Sequence, residues 1–326
     1  MRLFTHIDAR TVDEACSALG KYKGRAKLNA GGTDLLSILK GDFLPDYPEA
    51  VINIKTIPDL DYIREEGDVL KIGALARLSN LIKSPILEGS YGVLVEAARS
   101  VASPQIRNVA TIGGNLCQDV RCWYYRYPRH LGGPLQCLRK GSGSCLAVKG
   151  DNRYHSILGG KKCFAVCPSD IAVALNALDA KITIVSVKGE RKIAVSDFYS
   201  PLGNALKKYE MVREIEIPRI AVPTTQRFIK FTLRKPIDFA IVSIASVMTI
   251  KDGTCINARI ILGAVAPMPF RAKAAEEVLI GRPTSEGVAM EAAVQALAGA
   301  KPLSMNEYKI EIAKTLVKRG IMGMTD

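Results

Sequence analysis

The sequence predicts an α+β protein, with α/β units in the first two thirds of the chain and a separate α+β domain at its end. The first observation is a βαβ pattern at the N-terminus, whose helix opens with a capping box formed by Thr11 and Glu14. The second is the order of elements in the last third, where strand patterns follow one another and helical patterns come after them. Residues 218–223, which begin and end with proline, predict a linker between the two parts.

The elements of the first part alternate over short distances. Strands are predicted, from hydrophobic runs between turn residues, at residues 27–30, 50–54, 62–64, 69–72, 109–112 and 181–187. Helices are predicted from Thr11 to Leu19, up to Leu39, around Leu81, and at residues 94–100 and 170–178. Ser169 is a suitable N-cap for the last of these helices.

The middle and the last third differ from this pattern. Between Cys117 and Cys167 there is little periodicity, which predicts an irregular insertion that something other than a hydrophobic core organises. The last third predicts an antiparallel sheet and then helices, with strands at residues 227–234, 243–250 and 257–262 and helices at 271–279, 286–297 and 306–318. One face of the final helix is apolar, and Gly320 is expected to end it.

Composition indicates an ordinary globular protein. The chain has 326 residues, of which 48% are hydrophobic and 24% charged, enough for two or three domains. The first residues lack the apolar stretch of a signal peptide, and the longest apolar run, residues 239–250, is too short to span a bilayer. We therefore expect a cytoplasmic protein without a membrane segment.

The formal net charge is +13. A basic balance can indicate nucleic acid, an anionic ligand or an acidic protein partner. The Lys and Arg residues are scattered, and no aromatic platform accompanies them, so we expect an anionic cofactor and partner subunits and no nucleic acid. A solvated surface by itself explains much of this charge.

Two glycine pairs follow predicted strands, at residues 31–32 and 113–114. Paired glycines let the backbone approach a ligand closely, and their successive N–H groups form a nest that favours phosphate oxygens. Neither pair fits the G-x-G-x-x-G fingerprint or the Walker A loop, and a single double glycine after a strand is usually only a tight turn. Two such turns at strand ends predict two loops that hold one pyrophosphate.

Six of the eight cysteines crowd into the irregular segment: Cys117, Cys122, Cys137, Cys145, Cys163 and Cys167. Cys16 and Cys255 stand alone and are expected to be ordinary buried thiols. In a cytosolic chain this crowding predicts metal or redox chemistry rather than disulfides. The close C-x-x-C pairs of structural zinc sites are absent, whereas an iron–sulfur cluster tolerates wide spacings. A loop of redox-sensitive free thiols is the remaining interpretation.

Several motifs carry a family resemblance: residues 30–35 (AGGTDL), 107–115 (RNVATIGGN), 168–170 (PSD), 230–234 (KFTLR), 238–240 (DFA) and 262–267 (LGAVAP). The chain resembles, over essentially its whole length, the FAD-binding medium subunits of the xanthine oxidase, or molybdenum hydroxylase, family. The resemblance implies the vanillyl-alcohol-oxidase/PCMH-type FAD-binding fold, which has two α/β subdomains, followed by a C-terminal α+β domain with an antiparallel sheet and helices. The implied units are residues 1–56, residues 57–220 with a Cys-rich Fe–S insert at 117–167, and residues 221–326.

The cysteine segment resembles the insert of 4-hydroxybenzoyl-CoA reductase and of periplasmic-type aldehyde oxidoreductases, and residues 150–155 (GDNRYH) are closer to the second version. This likeness implies an extra [4Fe–4S] cluster with the ligands Cys122, Cys137, Cys145 and Cys163. Cys117 and Cys167 have no counterpart in the match. Related chains often have histidine at the position of Cys167, so an exchanged ligand stays open, and His155 within the insert is expected to be structural.

The resemblance also implies which residues bind FAD. Those that hold the pyrophosphate and ribityl are Lys27, Leu28, Asn29, Ala30, Gly31, Gly32, Thr33, Asp34, Leu35, Thr111, Gly113, Gly114 and Asn115. Asp170 is expected near the flavin nucleotide and Lys230 near the isoalloxazine edge. A cation there would stabilise the reduced, anionic flavin, although the residues alone suggest only a surface lysine on a strand.

The implied role is electron transfer within a heteromeric complex. A small subunit would carry two [2Fe–2S] clusters, a large subunit would bind molybdopterin and the substrate, and NAD, a quinone or ferredoxin would be the external carrier. The chain has three histidines and no recognisable catalytic triad, so no catalytic residue is predicted. Two alternatives are a free-standing FAD-dependent oxidoreductase of the same fold and a zinc-stabilised interaction module without flavin.

Overall fold

The computed structural model describes residues 1–235 and 237–324. Its strands, in chain order, are β1 (Thr5–Asp8), β2 (Ala26–Asn29), β3 (Ala50–Asn53), β4 (Ile63–Glu66), β5 (Val69–Gly73), β6 (Lys181–Ser186), β7 (Gly189–Ala194), β8 (Tyr199–Ser200), β9 (Gly203–Asn204), β10 (Met211–Pro218), β11 (Thr225–Phe231), β12 (Val242–Lys251), β13 (Thr254–Gly263) and β14 (Phe270–Arg271).

The α-helices among these residues are α1 (Val12–Lys21), α2 (Leu35–Gly41), α3 (Leu78–Lys83), α4 (Pro85–Ser90), α5 (Gly92–Arg99), α6 (Pro104–Arg107), α7 (Ile112–Cys117), α8 (Asp170–Ala177), α9 (Val195–Phe198), α10 (Lys273–Leu279), α11 (Glu286–Ala296) and α12 (Tyr308–Ile321). Single 3₁₀ turns lie at Arg129–Leu131, Leu138–Lys140 and Leu146–Val148. Within the described ranges no helix is long and apolar enough to cross a membrane.

Three main sheets organise the chain. The N-terminal sheet is parallel, with the order β1-β3-β2, and confirms the predicted βαβ start. The second sheet is antiparallel, with the order β4-β5-β10-β6-β7, and the C-terminal sheet is antiparallel, with the order β11-β12-β13-β14. The α+β class and the C-terminal antiparallel sheet with its helices are therefore confirmed.

Local capping explains where two of the helices begin. The hydroxyl of Thr11 accepts a hydrogen bond from the N–H of Glu14 at 3.1 Å, and the Glu14 carboxylate accepts one from the N–H of Arg10 at 2.6 Å. Ser169 caps α8 in the same way, through the N–H of Ala172 at 3.0 Å. Helix α8 is buried along its whole length and packs against α5 and the C-terminal sheet, so it joins the central and C-terminal units.

Two local predictions were wrong. Residues 109–112 form no strand, because Ser103 and Thr111 instead cap the short helices α6 and α7. The β-branched residues of this stretch suggested a strand, but the caps and the backbone hydrogen bonds to Ala74 and Ala76 determine the local fold. Gly320 does not end the last helix, which continues to Ile321. A Cβ at Gly320 would lie 3.2 Å from the Ile244 side chain, so the missing side chain lets α12 approach β12 closely.

The irregular segment is attached to the C-terminal domain by buried polar side chains. The Asn152 amide nitrogen donates to Ser304 at 3.1 Å, and its oxygen accepts the N–H of Met305 at 2.9 Å. Asn306 donates to the carbonyls of His155 and Ser156. These hydrogen bonds hold residues 152–156 of the insertion against residues 304–306, which precede α12.

Lys309 also bonds to the insertion, and its burial leads us to expect that the stability of the protein depends on pH. Its side chain is fully buried, and its ammonium donates to the carbonyls of Ala264 at 2.6 Å and His155 at 3.0 Å. Burial lowers the pKa of Lys309 from 10.5 to about 7. Between these values the unfolded chain binds more protons than the native chain, so the free energy of unfolding rises with pH in this window.

We expect the wild type to gain stability relative to Lys309→Met between pH 7 and pH 9, by at most about 1.4 kcal/mol per pH unit. Urea unfolding of both proteins at pH 7, 8 and 9 measures the difference. Lys314→Met, at a partly exposed position of the same helix, is the control and should follow the wild type. Parallel profiles of the wild type and Lys309→Met would contradict the prediction.

Candidate functional site

One cavity of about 810 Å³ lies between the N-terminal sheet, the irregular segment and the C-terminal sheet. Its walls come from the N-terminal sheet and α2, from the segment that precedes α8, and from β11 of the C-terminal domain. The predicted cofactor-binding residues line it with the exception of Gly113: Lys27, Leu28, Asn29, Ala30, Gly31, Gly32, Thr33, Asp34, Leu35, Thr111, Gly114, Asn115, Asp170 and Lys230. We call it the dinucleotide cavity.

The first glycine turn offers free backbone donors to this cavity. The N–H groups of residues 30–34 make no hydrogen bond within the described part of the chain. Gly32 has φ +70°, which an L-residue adopts only at a cost, and this conformation turns the chain into α2. A run of unpaired N–H groups at the start of a helix suits an anion such as a phosphate.

The second glycine turn lies against the first but does not offer donors. A Cβ at Gly31 would come within 2.1 Å of the Val109 carbonyl oxygen, so the two turns are in backbone contact. The N–H groups of Gly113 and Gly114 already bond to the Ala74 carbonyl at 2.9 Å and to the Thr111 hydroxyl at 3.1 Å. The expected second nest is therefore wrong. This turn shapes the cavity, and Gly113 is buried against Ala74.

Asp34 connects the first turn to the cysteine segment. Its carboxylate accepts hydrogen bonds from Arg121 at 2.5 Å, from Arg126 at 2.7 Å and from the N–H of Asp119 at 2.8 Å. These bonds occupy both carboxylate oxygens. The structure thus gives Asp34 a positioning role, because it holds two arginines of the insertion at the edge of the cavity.

Asp170 and Lys230 form an ion pair in the cavity wall. The Lys230 ammonium lies 2.8 Å from the Asp170 carboxylate, and both side chains are less than a tenth exposed. Lys230 also donates to the Ser100 carbonyl at 3.0 Å. The two residues come from different domains and meet at the cavity, so Lys230 is not a surface lysine, although Asp170 balances its charge.

Several basic side chains of this cavity were not predicted from the sequence. Arg121, Arg126, Arg139, Lys207 and Lys208 also line it. The arginines were visible as basic residues in the irregular segment, but their spacing gave no indication of which ones face a ligand. Together they make the cavity suitable for a polyanionic ligand.

The four cysteines predicted as cluster ligands line one small pocket. Cys122, Cys137, Cys145 and Cys163 surround a space of about 20 Å³, with Tyr124, Tyr125, Leu138 and Arg139 among its other lining residues. All four are free thiols. No three His, Cys, Asp or Glu side chains of the described residues are arranged to hold a single metal ion. We call this space the cysteine pocket.

The remaining cysteines of the segment lie elsewhere. Cys117 and Cys167 line the dinucleotide cavity and not the cysteine pocket. Burial raises the pKa of the Cys167 thiol to about 12 and that of Cys122 to about 11, whereas Cys117 is exposed to the cavity. As bare thiols Cys167 and Cys122 are therefore protonated at neutral pH, and a bound metal would have to displace the proton from either of them that acts as a ligand.

His155 covers one side of Cys122. Its Nε2 lies 3.3 Å from the Cys122 sulfur, and its ring packs edge-on against Trp123 at 5.7 Å. Burial and the nearby Lys309 ammonium lower the pKa of His155 to about 4, so the imidazole is neutral at physiological pH. The structural role expected for His155 stays a prediction.

The fold and the dinucleotide cavity suit a class of protein that binds an anionic nucleotide cofactor, and comparison with known proteins identifies the cofactor and the family. Residues 2–220 match the FAD binding domain in molybdopterin dehydrogenase, and residues 227–324 match the CO dehydrogenase flavoprotein C-terminal domain. The chain belongs to the FAD-binding medium subunits of the molybdenum hydroxylase (CO dehydrogenase/xanthine oxidase) family, which are subunits of oxidoreductases.

Individual relatives agree with this assignment. The FAD-binding subunit of an aldehyde oxidoreductase of Escherichia coli K12 is 34% identical, with 96% of each chain covered. The carbon monoxide dehydrogenase medium chain of Hydrogenophaga pseudoflava is 30% identical, covering 98% of this chain and 96% of the relative. A solved carbon monoxide dehydrogenase from the same organism, lacking the Mo-pyranopterin moiety, superposes with a TM-score of 0.79 at 29% identity, covering 99% of this chain and 97% of that one.

Proposed function

We propose that this chain is the FAD- and [4Fe–4S]-containing electron-transfer subunit of a heteromeric molybdenum hydroxylase. The observation that carries the proposal is the convergence of four cysteines, dispersed over 42 residues of sequence, on one pocket beside the dinucleotide cavity. Family membership supports the binding of FAD, and the shared pocket of the four cysteines supports the binding of the cluster.

The residues of the dinucleotide cavity fit FAD. The free N–H groups of residues 30–34 would donate hydrogen bonds to the pyrophosphate, while Thr111, Gly114 and Asn115 would form the opposite wall. Lys230 would lie near the flavin ring, and its ion pair with Asp170 would largely offset its effect on the charge of the reduced flavin. FAD supplies the ability to exchange one or two electrons, which joins one-electron clusters to a two-electron acceptor.

The donor set of the cysteine pocket, four free thiols, is the one that a cubane cluster uses. The thiols surround a space rather than meeting at one point, which suits a cluster better than a single zinc ion. Cys122, Cys137, Cys145 and Cys163 would be the ligands, and Tyr124 and Tyr125 would limit the access of water. The position of Cys117 and Cys167 on the other cavity argues against a ligand role for either.

The proposed partners follow from the relatives, whose names describe subunits or chains of larger enzymes. They are a molybdopterin-binding large subunit, a small subunit with two [2Fe–2S] clusters, and an external carrier such as NAD, a quinone or ferredoxin. We further propose the domain division at residues 1–56, 57–220 and 221–326. A cytoplasmic location suits the eight free thiols.

Anaerobic purification of a tagged chain from its native host, with its neighbours bound, tests the proposal. We expect one flavin and, beyond the iron of the partner subunits, about four iron atoms per chain. The chain refolded with iron and sulfide but without its partners should show the same cluster absorption. Flavin without this iron would refute the cluster, and zinc without flavin would support an interaction module instead.

A further inference from the structure

Two side chains, Tyr125 and Arg139, line both the dinucleotide cavity and the cysteine pocket. The Tyr125 ring is almost fully buried, and its hydroxyl donates to Asp119 at 2.6 Å. The Arg139 guanidinium lies 5.7 Å from the centre of this ring. Together the two side chains form a partition between the two cavities.

Arg139 carries a charge that the protein satisfies only in part. Its side chain is 10% exposed, its Nη1 lies 3.9 Å from the Asp119 carboxylate, and its buried Nε makes no hydrogen bond among the described residues. Asp119 is already engaged by Tyr125 and by the N–H of Val120. A buried cation with an unused donor is costly unless another acceptor or anion is present.

The two cavities would supply such anions. Arg139 lines the cysteine pocket together with Cys163 and the dinucleotide cavity together with Cys167. Four thiolates give a cluster a net negative charge that increases on reduction, and a reduced flavin is also anionic. Since an arginine does not lose its proton in proteins, its positive charge is constant under all conditions of turnover.

We propose that Arg139 is a positioning residue that couples the two redox sites, by donating a hydrogen bond to the cysteine-bound cluster and by stabilising the reduced forms of both cluster and flavin. This inference rests on the proposed function. It explains why one buried arginine lies between two sites that exchange electrons, with the Tyr125 ring beside it. Hydrogen bonds to cluster sulfur and nearby charge are established determinants of cluster potential.

The test is a potentiometric titration of the complex, in which EPR follows the cluster and visible absorption follows the flavin. In Arg139→Met we expect both midpoint potentials to move to more negative values, with iron and FAD content unchanged. Arg139→Lys should restore part of both shifts. Arg129→Met is the matched control, because Arg129 belongs to the same insertion, pairs with Asp42 and lines neither cavity.

The outcomes separate this inference from the proposed function. Absence of the extra iron from the wild type overturns the cluster itself. A loaded Arg139→Met complex with both potentials unchanged overturns only the coupling role, as does a shift of equal size in Arg129→Met. If Arg139→Met does not retain iron, Arg139→Gln, which keeps a donor and removes the charge, is titrated instead. More negative midpoint potentials of both sites then support the coupling role, and unchanged potentials overturn it.

Discussion

Replacing Cys122 or Cys145 by serine is expected to remove most of the iron of the extra cluster while FAD remains bound. Each serine removes one of four thiolates, and an alcohol is a much weaker ligand for iron. The Cys145 thiol makes no hydrogen bond in the described part of the chain, and only its backbone carbonyl bonds, to the N–H of Val148, so its replacement should disturb the fold little. Iron and flavin per chain, measured after anaerobic purification, give the result.

Two other cysteines provide matched controls. Cys255→Ser changes a buried thiol of the C-terminal sheet, and Cys117→Ser changes a thiol of the dinucleotide cavity. Both variants should keep the full iron content. Constant iron in the Cys122 and Cys145 variants would show that the ligand assignment is wrong, and loss of iron in Cys117→Ser would show that the pocket does not define the complete set.

Gly31→Ala is expected to weaken FAD binding by about 10- to 100-fold. The new methyl group would lie 2.1 Å from the Val109 carbonyl oxygen and would force the two glycine turns apart. Overpacking of this kind costs about 1–3 kcal/mol, and a tenfold change in affinity corresponds to about 1.4 kcal/mol. Flavin fluorescence during titration of the deflavinated chain measures the dissociation constant.

Gly89→Ala is the control for this change. Gly89 is exposed in the short helix α4, and a Cβ there meets no atom within 4 Å. The variant should bind FAD like the wild type, and its free energy of unfolding should be unchanged or higher by up to about 1 kcal/mol. Wild-type affinity in Gly31→Ala would mean that contact between the turns does not set the shape of the flavin site.

Much of the fold could be predicted from local signals. The caps at Thr11 and Ser169 gave correct helix starts, because the capping bond joins a hydroxyl to the N–H three residues later and so depends only on the local chain. The strand predicted at residues 109–112 was wrong for the opposite reason. Its β-branched residues suggested a strand, but the cap at Thr111 and the contacts with Ala74 and Ala76 favour a helix.

The glycine turns show the limit of a motif. Both pairs were found from sequence, and both lie at the cavity. The motif did not reveal that one turn has free N–H groups while the other has them bonded, because this depends on distant carbonyls such as that of Ala74. In the same way, Lys230 alone suggested a surface residue, whereas Asp170, 60 positions away, makes it half of a buried pair.

The sequence by itself determined the α+β class, the flavin family and the presence of a cysteine-rich insertion, since these depend on residue type, order and recognisable motifs. Only the tertiary structure decided that four cysteines share one pocket while Cys117 and Cys167 face another, and that Tyr125 and Arg139 stand between the two. The physical reason is that an irregular segment has no helical or strand periodicity, so the directions of its side chains cannot be inferred from their spacing. Its side chains are oriented by contacts with distant parts of the chain, such as Asp34 and Asn306.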